Sequence, residues 1–252
     1  MGREITYTSC SNQLATAIKI VQKLGYKVVF AALHGSQNYN LSTEESDFDW
    51  YVAVEPTFED FVFNRGSISK EIQYLYGIIT IKDVRDMFQM IKKGGFNFLE
   101  ILFTDYYYVN KKYEDEWNML RSEAEKIARN NEYSTIRSYI GLAGNLVNKE
   151  AENKSCYRIL VCANQITSYI NGDSFKKVMT SDCIYDHDFI MKIKTKEHNK
   201  EYMRILSNNV FNYIQTWGTE YLRGKMSSEM MDNATREELD KILISICKKT
   251  NW

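Results

Sequence analysis

Proline, linker-like composition and long apolar runs are scarce in this sequence. Pro56 is the single proline, and no segment is rich in glycine and serine, so composition marks no domain boundary. Asn12, Gln13 and Lys19 interrupt the N-terminal stretch where a signal peptide needs a continuous apolar core, and no run approaches the length of a membrane span. We therefore expect a soluble, cytoplasmic protein without a membrane partner.

Paired cysteines and excess charge are also lacking. The five cysteines are scattered and form no Cys-x-x-Cys pair, which argues against a zinc ribbon and against a disulfide framework. A formal net charge of -1 gives no general attraction to nucleic acid or to anionic lipid, although a local basic patch would still bind phosphates. The charge therefore neither excludes nor indicates an RNA partner.

What the chain does contain is enough apolar material for one large domain or two modest ones, since 44% of its 252 residues are hydrophobic. Strand-like patterns end near residue 110, and helical spacing of apolar residues continues from there to the C-terminus. The sequence therefore predicts an α/β part in residues 1–110 and an α-helical part in residues 111–252.

The individual elements follow from periodicity and from turn residues. In the first part we predict helices at 11–24 and 84–93, the second with Asp83 as its N-cap, and strands at 28–33, 47–54 and 71–81, the last being either one kinked strand or two short ones. In the second part we predict helices at 114–129, 134–150, 155–169, 188–194, 199–217 and 236–249.

The chemistry of the chain is concentrated between these first strands. Gly35-Ser36 follows one predicted strand, and Asp47-Phe48-Asp49 begins the next. Residues two apart on a strand point to the same face, so the carboxylates of Asp47 and Asp49 are expected side by side. Adjacent carboxylates repel unless a cation lies between them, and hard oxygen ligands suit Mg²⁺ that carries a substrate phosphate. The stretch therefore predicts metal-dependent phosphoryl or nucleotidyl transfer.

The order of a strand, Gly35-Ser36, ten intervening residues and Asp47-Phe48-Asp49 resembles the signature of the DNA polymerase beta nucleotidyltransferase superfamily. Within it, the chain is most similar to the RNA-ligase-associated (RlaP-like) predicted nucleotidyltransferases. Residues 35–41 resemble that group's Gly-Ser-x-x-Tyr-Gly-Leu, with Asn40 at the second glycine, and residues 93–100 resemble its Lys-Gly-Asn-Pro-Asn-x-x-Glu. Residues 154–160 match its helical Lys-x-x-x-x-x-Arg-Leu-Leu region more loosely.

This resemblance implies an α+β fold, with a mixed sheet core flanked by helices and an α-helical C-terminal domain. It also implies an enzyme that uses Mg²⁺ or Mn²⁺ to move an NMP from an NTP to a hydroxyl of RNA, protein or a small molecule. Asp47 and Asp49 would be the metal ligands. Gly35 and Ser36, at the start of a helix, would hold the triphosphate with backbone N–H groups and the serine hydroxyl.

The third carboxylate of the superfamily is the open point. The resemblance places it near Ile78 or Ile79, neither of which can ligate a metal. Glu71 would take this role if its strand were the neighbour of the Asp47–Asp49 strand, whereas capping of a helix already accounts for Asp83. Either Glu71 is the third catalytic carboxylate or the site has none, and the second alternative points to an NTP-binding or protein-interaction module with impaired catalysis.

Three further residues, Lys154, Arg158 and His34, have both a functional and a structural interpretation, and a fourth, Glu100, has a structural one. Lys154 and Arg158, four apart on a predicted helix, either contact the triphosphate or form a solvated face. Glu100 is expected to fix a local backbone turn. His34, beside the glycine turn, either packs there or takes part in catalysis.

Aminoglycoside-type nucleotidylation is a minor alternative, because no stretch resembles the acceptor site of those enzymes.

Overall fold

A computed structural model describes residues 7–63, 68–149, 152–223 and 232–250. The described residues form an α+β structure with one five-stranded mixed sheet, as predicted. The chain divides into two compact units, Met1–Asn130 with Met231–Trp252, and Asn131–Met230. The strands, all in the first unit, are β1 (Val28–His34), β2 (Asp49–Val54), β3 (Ser69–Tyr74), β4 (Gly77–Asp83) and β5 (Tyr107–Val109).

The first unit contains helices that come before, between and after the strands in sequence. They are α1 (Tyr7–Lys23), α2 (Phe58–Val62), α3 (Val84–Lys92), α4 (Phe96–Leu99), α5 (Glu114–Ser122), α6 (Ala124–Asn130) and α12 (Asn233–Lys249). The helices of the second unit are α7 (Glu132–Val147), α8 (Asn153–Ile170), α9 (Phe175–Met179), α10 (His187–Thr195) and α11 (Lys200–Leu222).

The strand order in the sheet is β3-β4-β2-β1-β5. β1 pairs antiparallel with β2, and His34 at the end of β1 lies opposite Asp49 at the start of β2. β2 pairs in parallel with β4, so that Trp50 lies beside Ile79. The region predicted as one or two strands at 71–81 is a hairpin of β3 and β4. β2 begins at Asp49 rather than at Asp47, so the alternation along a strand that predicted the two carboxylates side by side does not extend to Asp47.

One face of the sheet packs against α1. Side chains alternate between faces along a strand, so Trp50 and Val52 of β2 point to the same side. Both are fully buried in a cluster with Ile79 and with residues of α1, including Leu14 and Val21. Asp49 and Tyr51 must therefore lie on the opposite face.

The predicted start of α3 is confirmed in detail. The Asp83 carboxylate accepts a hydrogen bond from the Arg85 N–H at 2.8 Å, which satisfies one of the unpaired donors at the helix N-terminus. The side chain of Arg85 binds the same carboxylate at 2.6 Å. Asp83 is fully buried between these partners, so a structural role accounts for it.

The division between the units differs from the predicted boundary near residue 110. Helices α5, α6 and α12 belong with the sheet, and the ring centroids of Phe30 on β1 and Trp117 on α5 are 4.6 Å apart. Lys92 of α3 forms an ion pair with Asp240 of α12. Strand patterns do end near residue 110, but the next helices bury apolar surface of the same sheet, which periodicity alone does not reveal.

The second unit is helical, as predicted, and is organised around α8. Asn164 of α8 is fully buried and satisfies all its amide groups with the backbone of the following connection. Its Nδ2 donates to the carbonyls of Ser181 and Tyr185 at 2.9 and 2.7 Å, and its Oδ1 accepts from the N–H groups of Ile184 and Tyr185. In the part of the chain described, none of the helices has both the length and the apolarity needed to cross a membrane.

The close surroundings of Gly77 lead to a prediction about the stability of the protein. A Cβ added at this residue would lie 2.4 Å from the Phe48 carbonyl oxygen, and the φ of Gly77 is 151°. We expect Gly77→Ala to lower the free energy of unfolding by about 3 kcal/mol, because strain and overpacking add. Gly25→Ala is the matched control, since Gly25 has a φ of 87° and open space around it. The control should cost about 1 kcal/mol from backbone strain alone.

Chemical denaturation followed by tryptophan fluorescence measures both changes. Equal losses in the two variants would contradict the close contact between Gly77 and Phe48.

Candidate functional site

The pairing of β1 with β2 brings the glycine-serine turn beside the two carboxylates. His34 lies opposite Asp49, so the chain leaves β1 at Gly35 next to the point where it enters β2. Eleven residues separate Ser36 from Phe48 in sequence. Ser36 follows β1 and Phe48 precedes β2, so the antiparallel pairing of these strands brings the two residues to the same end of the sheet. The predicted proximity of Gly35-Ser36 to the Asp47–Asp49 pair therefore follows from a pairing present in the structure.

The residues after Gly35 form consecutive turns and not the helix that the resemblance implies there. The Gly35 carbonyl accepts from the Asn38 N–H at 2.9 Å, and the Ser36 carbonyl accepts from the Leu41 N–H at 3.1 Å. Gly35 has a φ of 90° and Asn40 a φ of 58°, both in the left-handed region. A left-handed residue interrupts right-handed helical geometry, and asparagine tolerates it better than most residues. Asn40, at the position where the motif that it resembles has a second glycine, therefore adopts this conformation at modest cost.

A buried carboxylate, Glu100, holds this turn in place. Glu100 is fully buried, and its Oε1 accepts a hydrogen bond from the Gly35 N–H at 3.2 Å. Its Oε2 accepts a hydrogen bond from the Tyr39 hydroxyl. The His34 Nδ1 lies 3.8 Å from Oε1. Glu100 therefore fixes a backbone turn, as expected, but this turn is remote in sequence and not local to Glu100.

This anchoring changes which amides can meet a phosphate. The Gly35 N–H already donates to Glu100, so it cannot serve the predicted anion cradle at the same time. The N–H groups of Ser36 and Gln37 donate to no atom of the described residues. An anion at the turn would therefore bind the Ser36 and Gln37 amides and the Ser36 hydroxyl, which is half-buried.

Gln37 and Tyr39 are the positioning residues that sequence reasoning missed. The Gln37 side chain is 7% exposed, and its Nε2 donates to the Asp47 carbonyl at 3.2 Å. It therefore ties the turn directly to the carboxylate segment, as Tyr39 ties it to Glu100. Both residues lie inside the Gly-Ser-x-x-Tyr motif, whose tyrosine was the available signal.

The two aspartates flank a residue that is packed in the core. Phe48 is buried in the cluster on α1, whereas Asp47 is exposed and Asp49 is half-buried. The Asp49 Oδ1 accepts a hydrogen bond from the Ile78 N–H of β4 at 3.0 Å. This bond orients one carboxylate at the edge of the site, while the other faces solvent.

The negative charges of both aspartates affect the pKa of Tyr74. Burial, together with the negative charges of Asp49 and Asp47, raises the pKa of Tyr74 to about 12. Its hydroxyl is therefore protonated at neutral pH and donates to the Phe48 carbonyl at 3.1 Å. The Trp50 indole N–H donates to the same hydroxyl at 3.0 Å. This chain of hydrogen bonds supports the backbone between the two carboxylates from the α1 side.

Glu71 does not lie where a third metal ligand would be needed. The neighbour of β2 is β4, and Glu71 is an exposed residue of β3, opposite Thr80. Two strand spacings separate β3 from β2, roughly 10 Å. The residue of β4 that contacts Asp49 is Ile78, one of the two positions near which the resemblance places the third carboxylate. Among the described residues, no group of three or more His, Cys, Asp or Glu side chains is arranged to hold a metal ion.

The donor chemistry of the two aspartates nevertheless suits Mg²⁺. This ion is commonly bound by one or two carboxylates together with substrate phosphates, and it retains several waters. Asp47 and Asp49 supply two carboxylates, one exposed and one half-buried, beside amides that suit a phosphate. The site thus fits an ion that arrives with a nucleotide better than an ion held by protein ligands alone. Mn²⁺ accepts the same oxygen ligands.

The remaining predicted residues have separate surroundings. Lys154 and Arg158 lie on α8 of the second unit, the first exposed and the second half-buried, and their contact with a triphosphate stays a prediction. The His34 ring stacks on Tyr51 with centroids 4.1 Å apart, and Tyr51 packs on Phe98 at 4.9 Å. Packing of His34 beside the turn is therefore what the structure supports.

The Tyr39–Glu100 hydrogen bond yields a second prediction. Tyr39→Phe removes a donor to a buried carboxylate and should lower the free energy of unfolding by about 2 kcal/mol. Amide hydrogen exchange at Gly35 should accelerate, because Glu100 then holds the turn less firmly. Tyr107→Phe, at a residue that is 38% exposed on β5, is the control and should change neither quantity. Unchanged exchange at Gly35 in the Tyr39 variant would contradict the anchoring role of Glu100.

Comparisons with known proteins assign no family to the chain. No protein-family model matches the chain, and no curated protein matches its sequence. The interpretation of the site therefore depends on its own residues and on the resemblance of its motifs.

Proposed function

We propose that the protein is a nucleotidyltransferase that moves an NMP from an NTP to a hydroxyl acceptor, with Mg²⁺ or Mn²⁺ bound by Asp47 and Asp49. One observation carries the proposal. The pairing of His34 with Asp49 sets a glycine-serine turn, with amides that suit a phosphate, against a pair of carboxylates. A phosphate-binding turn and a divalent-cation site are the two parts that such a transfer requires.

The architecture also supports the narrower proposal of a polymerase-beta-like nucleotidyltransferase core. A strand leads into the glycine-serine turn, and the adjacent antiparallel strand begins at Asp49, the second aspartate of the pair. The next strand in space, β4, runs parallel to β2. This arrangement keeps the order of strand, glycine-serine turn and aspartate pair on which the resemblance rests, and it supports the narrower proposal.

Each residue then has a defined task. The amides of Ser36 and Gln37 and the Ser36 hydroxyl bind the β- and γ-phosphates, while Glu100 keeps the turn in the required conformation. Asp47 and Asp49 hold the cation, which when bound neutralises phosphate charge and helps to orient the α-phosphate. The Ile78 N–H keeps the Asp49 carboxylate oriented. Gln37 fixes the distance between the turn and Asp47.

The transfer itself is an in-line displacement. The acceptor oxygen forms a bond to the α-phosphorus, and the bond from that phosphorus to the bridging oxygen of pyrophosphate breaks. The hydroxyl proton passes to solvent water, and pyrophosphate leaves with the electron pair of the broken bond. Positioning and electrostatic stabilisation supply most of the rate enhancement, since no covalent intermediate is formed on the protein.

A second function is favoured by one specific observation. The resemblance places the third carboxylate near Ile78 or Ile79; Ile78 lies beside Asp49 on β4 and cannot ligate a metal, and Glu71 is two strands from Asp49. A protein that binds Mg²⁺-NTP at this site without turnover would act as a nucleotide-binding or protein-interaction module. Turnover separates this alternative from the first proposal, whereas nucleotide binding does not.

Substitution of the aspartates tests the site. Asp47→Asn and Asp49→Asn should each weaken Mg²⁺-NTP binding by about tenfold or more and lower NMP transfer by at least about a hundredfold, because each removes a charged ligand of the cation. Binding is measured by calorimetry, and transfer is measured by labelling cell extract with NTPs that carry a labelled α-phosphate.

Glu71→Gln is the matched control, since it removes an exposed carboxylate two strands away and should leave both quantities unchanged. If the unaltered protein binds no NTP in the presence of Mg²⁺, the proposed function is wrong. If it binds NTP but labels no acceptor, the second function replaces the first.

A further inference from the structure

The loop of the β3–β4 hairpin consists of two exposed apolar residues. Leu75 is 85% exposed and Tyr76 is 43% exposed, and Ile78, just after the loop, is 37% exposed. Two-residue hairpin loops usually contain asparagine or glycine, because the favoured turn types need a positive φ within the loop. Neither Leu75 nor Tyr76 has a positive φ, and it is Gly77 that adopts one. The geometry of the turn therefore does not account for these two side chains.

The loop is held firmly against the carboxylate pair. The Tyr76 carbonyl accepts a hydrogen bond from the Phe48 N–H at 2.7 Å, between the two aspartates in sequence. The Ile78 N–H donates to Asp49 at 3.0 Å. Gly77 allows this close approach, since a side chain there would overlap the Phe48 backbone. These bonds hold the backbone of the loop beside the aspartates, so its exposed apolar side chains start from a fixed position there.

The loop and the phosphate-binding turn lie on opposite sides of β2. β1, which ends at the turn, flanks β2 on one side, and β4, which starts at the hairpin loop, flanks it on the other. On the proposed function, on which this inference rests, pyrophosphate leaves toward the turn. An in-line displacement requires the attacking oxygen opposite the leaving group. The acceptor must therefore approach from the β4 side, over Leu75 and Tyr76.

Two exposed carboxylates precede the aspartate pair. Glu44 and Glu45 are exposed in the connection that leads into β2, and they lie within four residues of Phe48, whose N–H donates to the Tyr76 carbonyl. These carboxylates repel a polyanion such as RNA and attract lysine and arginine side chains. Exposed leucine and tyrosine side chains rimmed by charge are typical of surfaces that contact other proteins.

We propose that the hairpin loop, Leu75 and Tyr76, is the acceptor-binding surface, and that the acceptor is a polypeptide segment. That segment carries a serine, threonine or tyrosine hydroxyl flanked by apolar and basic residues. Its apolar side chains pack on Leu75 and Tyr76, and its basic side chains face the surrounding carboxylates. The hydroxyl oxygen bonds to the α-phosphorus, pyrophosphate leaves and the hydroxyl proton passes to water, so the product is a peptide carrying an NMP.

Defined acceptors and one matched pair of variants test this inference. The full-length protein is incubated with Mg²⁺ and four NTPs labelled at the α-phosphate. The acceptors are a peptide pool with Ser, Thr or Tyr flanked by Leu, Phe and Lys, the same pool with Glu in place of Lys, and an oligoribonucleotide with a free 3′ hydroxyl. The basic pool should be labelled about tenfold more than the acidic pool, and the oligoribonucleotide should stay unlabelled.

Leu75→Ser should lower labelling of the basic pool about tenfold, because it removes an apolar anchor of the acceptor. Leu24→Ser is the control. Leu24 is 46% exposed and precedes the start of β1, whereas Gly35 follows the end of that strand. Labelling should therefore not change. Both variants should bind Mg²⁺-NTP as the unaltered protein does, since neither residue is part of the nucleotide site.

Three outcomes would overturn the inference and leave the nucleotide site standing. They are labelling of the oligoribonucleotide in preference to the peptides, equal labelling by Leu75→Ser and the unaltered protein, and Mg²⁺-NTP binding without label on any peptide. Absence of Mg²⁺-NTP binding in the unaltered protein is a different result, because it removes the proposed function itself.

Discussion

The antiparallel register of β1 and β2 is the constraint on which the rest of this structure depends. It sets His34 opposite Asp49 and so brings the turn at Gly35 to the start of β2. A slip by one residue would turn Trp50 and Val52 away from α1 and bring Asp49 into the core. The apolar core and the candidate site therefore require the same pairing, and the free energy of burying Trp50 also stabilises the geometry of the site.

Two further contacts, from segments distant in sequence, hold the ends of these strands. Glu100 binds the Gly35 N–H from 65 residues away, and the Ile78 N–H binds Asp49 from 29 residues away. Burial of Glu100 is costly, and the donors of Gly35 and Tyr39 offset that cost. These two hydrogen bonds fix the backbone at both ends of the candidate site, which suits the proposed transfer because positioning would contribute to its rate. The bond to Glu100 also occupies the Gly35 N–H, so the proposed phosphate-binding turn does not include this amide.

Local patterns predicted the elements well where burial follows one simple period. Strand β1, the N-cap of α3 by Asp83 and the helical second unit are examples, since each depends on neighbours within a few residues. The predicted helix at 114–129 is two helices, α5 and α6, and the predicted boundary near 110 lies within the first unit. Those features depend on which surface an apolar face covers, and periodicity does not specify its partner.

The sequence by itself determined the chemical parts of the site: a glycine that accepts a left-handed φ, a pair of aspartates at the head of a strand, and their order along the chain. The tertiary structure alone decided how these parts are used. Strand order made Ile78 the neighbour of Asp49 and left Glu71 two strands away, and the long-range hydrogen bond from Gly35 to Glu100 left the Ser36 and Gln37 amides as the ones available to an anion. The reason is physical, because residue type sets what a side chain can bind, whereas pairing between distant segments sets what lies within reach.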